Sequence, residues 1–156
     1  MLQVCNTGLK TESVALKPGY VLQLRPKGTD DQLRDLFVLV LEAGESGDIL
    51  VVPFGPLTRA AFASELLTDF KDEALRVLCL WNAQWLPQPV VTRSWHIANA
   101  SEQLLENVVA LRTSLTTQKP VPAHLQALIG PTGECVGEQR FVYLVREEEI
   151  WTPYLS

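Results

Sequence analysis

The chain has 156 residues, 47% of them apolar and 20% charged, with a net charge of −5. Length and apolar content suffice for one domain with its own core, and global disorder is excluded. Residues 1–78 carry eight Lys or Arg against eleven Asp or Glu, and residues 79–156 five against seven, so neither half offers a basic face for nucleic acid by composition.

Cys5, Cys79 and Cys135 are odd in number, far apart and outside any CxxC or Cys/His spacing. Cys79, inside the apolar run LRVLCLW, reads as a small core residue, and the pattern suits a reducing compartment. The start MLQVCNTGLK has no basic segment followed by a long apolar one. No stretch approaches the roughly 18 apolar residues a membrane helix needs. The expectation is a soluble cytoplasmic protein with no membrane contact.

In chain order, SVALK at 13–17 is a candidate edge strand. Pro18-Gly19 opens a strand over Tyr20–Arg25, and RPKGTDDQ follows as a turn-rich loop. Leu36–Leu41 and Ile49–Phe54 are apolar runs of strand length around Gly44, Ser46 and Gly47, which predicts a hairpin. Their lack of alternation predicts burial on both faces or closure into a small barrel. Pro53 and Pro56 end the third strand. Residues 57–73 fit either a helix, with Phe62, Leu66 and Phe70 four apart, or an irregular crossing.

Ala74–Trp81 reads as a strand, Pro87 and Pro89 as an extended connection, and Val90-Val91 as a short strand running toward Ile97. Asn99 with Glu102 three residues on resembles a capping box. Leu104, Val108, Leu111 and Leu115 then form one apolar stripe, widened by Leu105 and Val109. That helix, near 100–116, should pack on the sheet. Pro122 to Gly130 predicts a two-turn helix, Phe141–Val145 a last strand, and Glu147–Glu149 a solvated acidic run beside it. The whole is an α+β fold: a bent antiparallel sheet or small SH3-like β-barrel carrying the helix. It reads as a single domain over 1–156, with a barrel-like core at about 18–98 and a C-terminal part at 99–156.

Chemistry is sparse. The two histidines, His96 and His124, have no metal-ligand spacing, so no metal site and no cofactor are expected. Ser46 lies in a hairpin turn rather than a nucleophile elbow, and the glycine-rich nucleotide loops are absent. Trp81, Trp85 and Trp95 cluster in sequence with Arg93 and His96. Trp81 and Trp95 can cap the core. Trp85, Arg93, Trp95 and His96 form a candidate binding set, because Trp and Arg dominate recognition surfaces. Trp85, Trp95 and His96 could equally line a small-molecule site.

The order of elements resembles the MazF/PemK toxin family over residues 18–116. PGYVLQLRPKG is similar to its opening strand and loop, LFVLVLEAG and DILVVPFGPLT to its next two strands, and TRSWHIANASEQLLENVVALRTSL to its strand and helix. The resemblance implies an SH3-like barrel and, for active members, ribonuclease chemistry. An arginine after the first strand would act there as acid or base, and a threonine or serine after the third strand would orient the phosphate. Arg25, with Arg34 as the fallback, and Thr58 would fill those places. The chain departs from the pattern at Phe54-Gly55, where the hydroxyl belongs, and at Asp35-Leu36, where the family has Arg-Pro. The expectation is therefore a non-enzymatic domain of toxin-like fold that binds a protein partner or itself as a homodimer, with RNA disfavoured. The alternatives are an endoribonuclease using Arg25 and Thr58, and a small-molecule binding module.

Overall fold

The computed structural model describes residues 16–25, 35–131 and 138–155. The expected strand at 13–17 lies outside them except for Leu16 and Lys17, which are not in a strand, and Arg34, Cys5 and Cys135 also lie outside. The fold is α+β.

Strands β1 (Tyr20–Leu24), β2 (Leu36–Ala43) and β3 (Ile49–Pro53) form the meander that their composition predicts. In the hairpin between β2 and β3, Gly44 N–H donates to Asp48 O (2.7 Å), and Gly47 takes φ of +87°, which glycine adopts without steric cost. Strands β6 (Gln84–Leu86) and β7 (Trp95–Asn99) complete a five-stranded antiparallel sheet in the order β6-β3-β2-β1-β7. Strands β6 and β7 do not pair with each other, so the sheet is open rather than closed into a barrel. A smaller sheet pairs β4 (Glu65–Leu67) with β5 (Val77–Cys79), and a Phe54–Leu78 bridge joins it to the end of β3.

Both faces of the large sheet are covered, which explains why β2 and β3 read as unbroken apolar runs. On one face, Val21, Leu39 and Val52 pack with Leu66, Leu78 and the inner stripe of α2 (Glu102–Thr117). On the other, Leu22, Val38, Val40 and Val51 pack with Val90 and Val91 of α1 (Gln88–Thr92) and with Trp151 and Tyr154 near the C-terminus. From α2, Leu104, Val108 and Leu111 are buried as expected, whereas Leu115 and Val109 stay exposed. Ser101, not Asn99, caps this helix: its Oγ accepts from Leu104 N–H (3.1 Å), while Asn99 is the last residue of β7. No described helix is long and apolar enough to cross a membrane.

Several other local expectations are corrected. Val90 and Val91 are helical rather than extended, because Pro89 sits in the first turn of α1, where its fixed φ suits a helix. The expected strand Ala74–Trp81 shrinks to β5, flanked by 3-10 turns at Glu73–Leu75 and Leu80–Asn82. Residues 57–73 are irregular apart from β4. The expected strand at Phe141–Val145 is part of helix α3 (Glu138–Glu148), followed by a 3-10 turn and α4 (Thr152–Leu155). An apolar pentad is ambiguous by periodicity, and its flanks, EQR and REEE, are helix formers. Within α3, Glu147 is buried, so the acidic run is not wholly solvated.

Pro122–Gly130 holds only one 3-10 turn, Ala123–Leu125, and Ile129 bridges Leu66 of β4. Gly130 is needed there for close approach rather than as a helix stop. A Cβ at this position would stand 2.5 Å from Phe62 N and 2.6 Å from Phe62 O, backbone atoms that cannot swing away. Gly130→Ala should therefore destabilise the fold by about 1–3 kcal/mol, the usual range for overpacking, as read from the urea midpoint.

Candidate functional site

Among the described residues, β7 has one neighbour, β1, and all of its residues except Ala98 are exposed. Its pairing skips from Val21↔Ala98 to Leu22↔His96, so Ile97 is the extra residue of a β-bulge. Ile97 is 43% exposed and Trp95 50%. Two stacks flank them: the Arg25 guanidinium lies 4.0 Å from the centre of the Trp95 ring, and Tyr20 stacks on His96 at 4.1 Å and 18°. His96 Nε2 donates to Asn99 Oδ1 (2.8 Å), which fixes the ring. Strand β7 is thus an exposed edge of five residues with no Lys, Arg, Asp, Glu or Pro, interrupted by the Ile97 bulge, a feature that twists an edge and limits pairing to the residues on either side of it.

The opposite edge is unlike it. Strand β6 has three residues and runs into Pro87 and Pro89, and its Trp85 rests against the β2–β3 turn, a ring atom lying 3.0 Å from where a Gly44 Cβ would stand. The structure thus brings Trp95 and His96 together and adds Arg25 and Tyr20. It leaves Trp85 on the other edge, paired with Leu50 near the start of β3, while Trp95 pairs with Gln23 near the end of β1. Arg93 is exposed in the turn before β7. Of the tryptophans read as core caps, Trp95 is exposed, and Trp81 is half-buried with its Nε1 donating to Glu65.

Arg25 and Thr58 lie at the same end of the sheet, where β1 and β3 finish and β2 begins. They are not brought into contact. Thr58 lines a hollow of about 410 Å³ with Asp35, Phe54, Gly55 and Glu73, two carboxylates and no described cation, while Arg25 is held over Trp95. At Gly55, where the resemblance would imply a hydroxyl, the space a side chain would take is occupied. A Cβ on Gly55 would be 2.8 Å from Cys79 Sγ and 3.1 Å from Tyr143 Oη.

Behind Gly55 is a buried polar cluster that no motif announced. Glu65, fully buried, accepts from Ala61 N–H (2.7 Å), Trp81 Nε1 (3.0 Å) and Tyr143 Oη (3.0 Å), with Cys79 Sγ at 3.8 Å. Asn82 Nδ2 donates to Glu147 O (2.8 Å) and its Oδ1 accepts from Trp151 Nε1 (3.0 Å), so the C-terminal helices are tied down at several points. Burial, and next the charge of Glu65, push the Cys79 thiol far above its ordinary value of 9.0; burial likewise raises Tyr143. Both stay protonated at neutral pH. They are structural donors, not nucleophiles. The signals in sequence were a lone Glu65 between small and apolar residues, and Tyr143 and Glu147 four apart, one face of a helix.

A cleft of about 520 Å³ lies beside the cluster, lined among others by Leu36, Leu57, Tyr143, Arg146, Glu149 and Tyr154. Among the described residues no group of His, Cys, Asp and Glu is placed to hold a metal. No family model, curated protein or solved structure matches this chain. The likeness to the MazF/PemK family rests on sequence pattern alone.

Two outcomes follow for the cluster. Tyr143→Phe removes a donor to buried Glu65 and should cost about 1–3 kcal/mol in urea unfolding. The high Cys79 value also sets a pH dependence. Below about pH 9 the thiol is protonated in both folded and unfolded chains; above it only the unfolded chain releases the proton, so stability falls as pH rises. Urea midpoints from pH 8 to 10.5 should fall less steeply for Cys79→Ala, by up to about 1.4 kcal/mol per pH unit. Equal slopes would show that the thiol ionises freely in the fold.

Proposed function

We propose that this chain is a non-catalytic binding domain of toxin-like fold that presents the β7 edge to a strand of a protein partner or of a second copy. One observation carries the reading: β7 is an uncharged edge strand with Trp95 and Ile97 half exposed and Arg25 fixed over the Trp95 ring. Strand addition gains affinity from main-chain hydrogen bonds and specificity from the side chains beside them. Trp95 and Arg25 are of the types that anchor such interfaces. The filled space at Gly55 and the carboxylates Asp35 and Glu73 around Thr58 favour binding over phosphodiester cleavage. The free, buried Cys79 thiol suits a cytoplasmic setting.

An endoribonuclease of MazF/PemK type is the second reading, favoured by Arg25 and Thr58 standing at one end of the sheet. Single-stranded RNA incubated with the purified protein should remain intact; cleavage that Arg25→Ala abolishes would replace the binding reading with this one. For the binding reading, a photo-crosslinking residue at position 97 should trap a protein, whereas the same group at 109, exposed on α2, should not. No adduct at 97, or equal adducts at both positions, would sink it.

A further inference from the structure

We propose that the cleft between the sheet and the C-terminal helices binds a free α-amino acid with a large apolar side chain, gripped at the rim by its ammonium and carboxylate groups. None of the described walls comes from β7, so this site stands apart from the binding edge. Its volume of about 520 Å³ lies within the usual range of small-molecule sites, roughly 300–1,000 Å³. Distant parts of the chain build it: Leu36 opens β2, Leu57 follows β3, and Val142, Pro153 and Tyr154 belong to α3 and α4. Leu57 and Val142 are 39% and 45% exposed, apolar surface that a ligand in the cleft would cover. Tyr143 is a fixed wall, because its Oη donates inward to Glu65 (3.0 Å) and its ring stands against those of Phe62 and Trp81 at 6.1 and 6.5 Å.

Charge at the rim selects the ligand. Among the described residues, three charged side chains line the cleft: Arg146, Glu147 and Glu149. Glu147 is buried and already partnered. Arg146 and Glu149 are exposed, and neither forms an ion pair with any described residue, not even with the other. Three residues apart on a helical turn, where Cβ atoms stand roughly 5–6 Å from each other, both line the same cleft. A cation and an anion side by side at the mouth of an apolar hollow complement a ligand that carries both charges close together on an apolar body. An α-amino acid carries them on a single carbon. A simple apolar acid would meet Arg146 but set its carboxylate beside Glu149, and a simple amine would meet the reverse. A polar side chain entering the hollow would lose its water without finding partners there, which favours phenylalanine or leucine over glutamine.

Calorimetric titration of the purified chain with phenylalanine or leucine should show a single saturable site with a dissociation constant below about 1 mM, and glutamine should give none. 3-Phenylpropionate, which lacks the ammonium, and phenethylamine, which lacks the carboxylate, should each bind about tenfold more weakly than phenylalanine or worse. Glu149→Gln should erase the preference for phenylalanine over 3-phenylpropionate, and Arg146→Gln the preference over phenethylamine, each leaving the other preference in place. Both positions are exposed, so neither change disturbs the core. Absence of saturable binding by phenylalanine and leucine, a single-charge analogue that binds as tightly, or preferences that survive both substitutions would overturn the proposal.

Discussion

The central sheet must be covered on both faces, and most of the chain is arranged to do it. Val38, Leu39, Val40, Val51 and Val52 are each fully buried, yet they divide between the two sides of the sheet. A strand apolar on both faces gains nothing by exposing either, so one layer of helix is not enough. Helix α2 and the β4–β5 pair close one side. The other is closed by α1 and by Trp151 and Tyr154, drawn from the far end of the chain.

That second cover has to be held in place, and buried polar groups hold it. Glu65 meets four donors from three separate parts of the chain, one of them Tyr143 on α3, while Asn82 bridges Glu147 and Trp151. A buried polar group left without a partner costs about 1–3 kcal/mol, so the cluster is stable only when every member is in position. It therefore fixes the register of the C-terminal helices against the sheet more sharply than apolar contact alone does. The same cluster fills the space beside Gly55, so packing that secures the fold also leaves no room there for a side chain. Among the described residues the β7 edge is left outward, since the helices cover faces and β6 is three residues long and runs into Pro87 and Pro89.

The meander over β1 to β3 was legible because strand-length apolar runs and glycine-bearing turns are local signals. The inner stripe of α2 was legible through its 3.6-residue period, although Leu115, on the same stripe, stays 39% exposed. Of the candidate site, Trp95, His96 and Arg25 were visible by type, but Trp85 was grouped with them by sequence distance, a poor proxy once α1 carries the chain from one edge of the sheet to the other. Val90-Val91 and FVYLV went astray for a shared reason: a short apolar run is compatible with strand or helix, and its neighbours in space decide.

By itself, then, the sequence determined an α+β chain with a doubly buried antiparallel meander and one capped amphipathic helix, because those features depend on residues close together along the chain. Only the tertiary structure decided that the sheet stays open, that the C-terminus is helical, and that Gly55 and Gly130 are spaces other groups need. Those outcomes depend on pairs such as Tyr143 and Glu65, 78 residues apart, whose meeting leaves no periodic trace. The β7 edge belongs to both. Its composition is written in five residues, and its exposure follows from which strands the rest of the chain chose to pair.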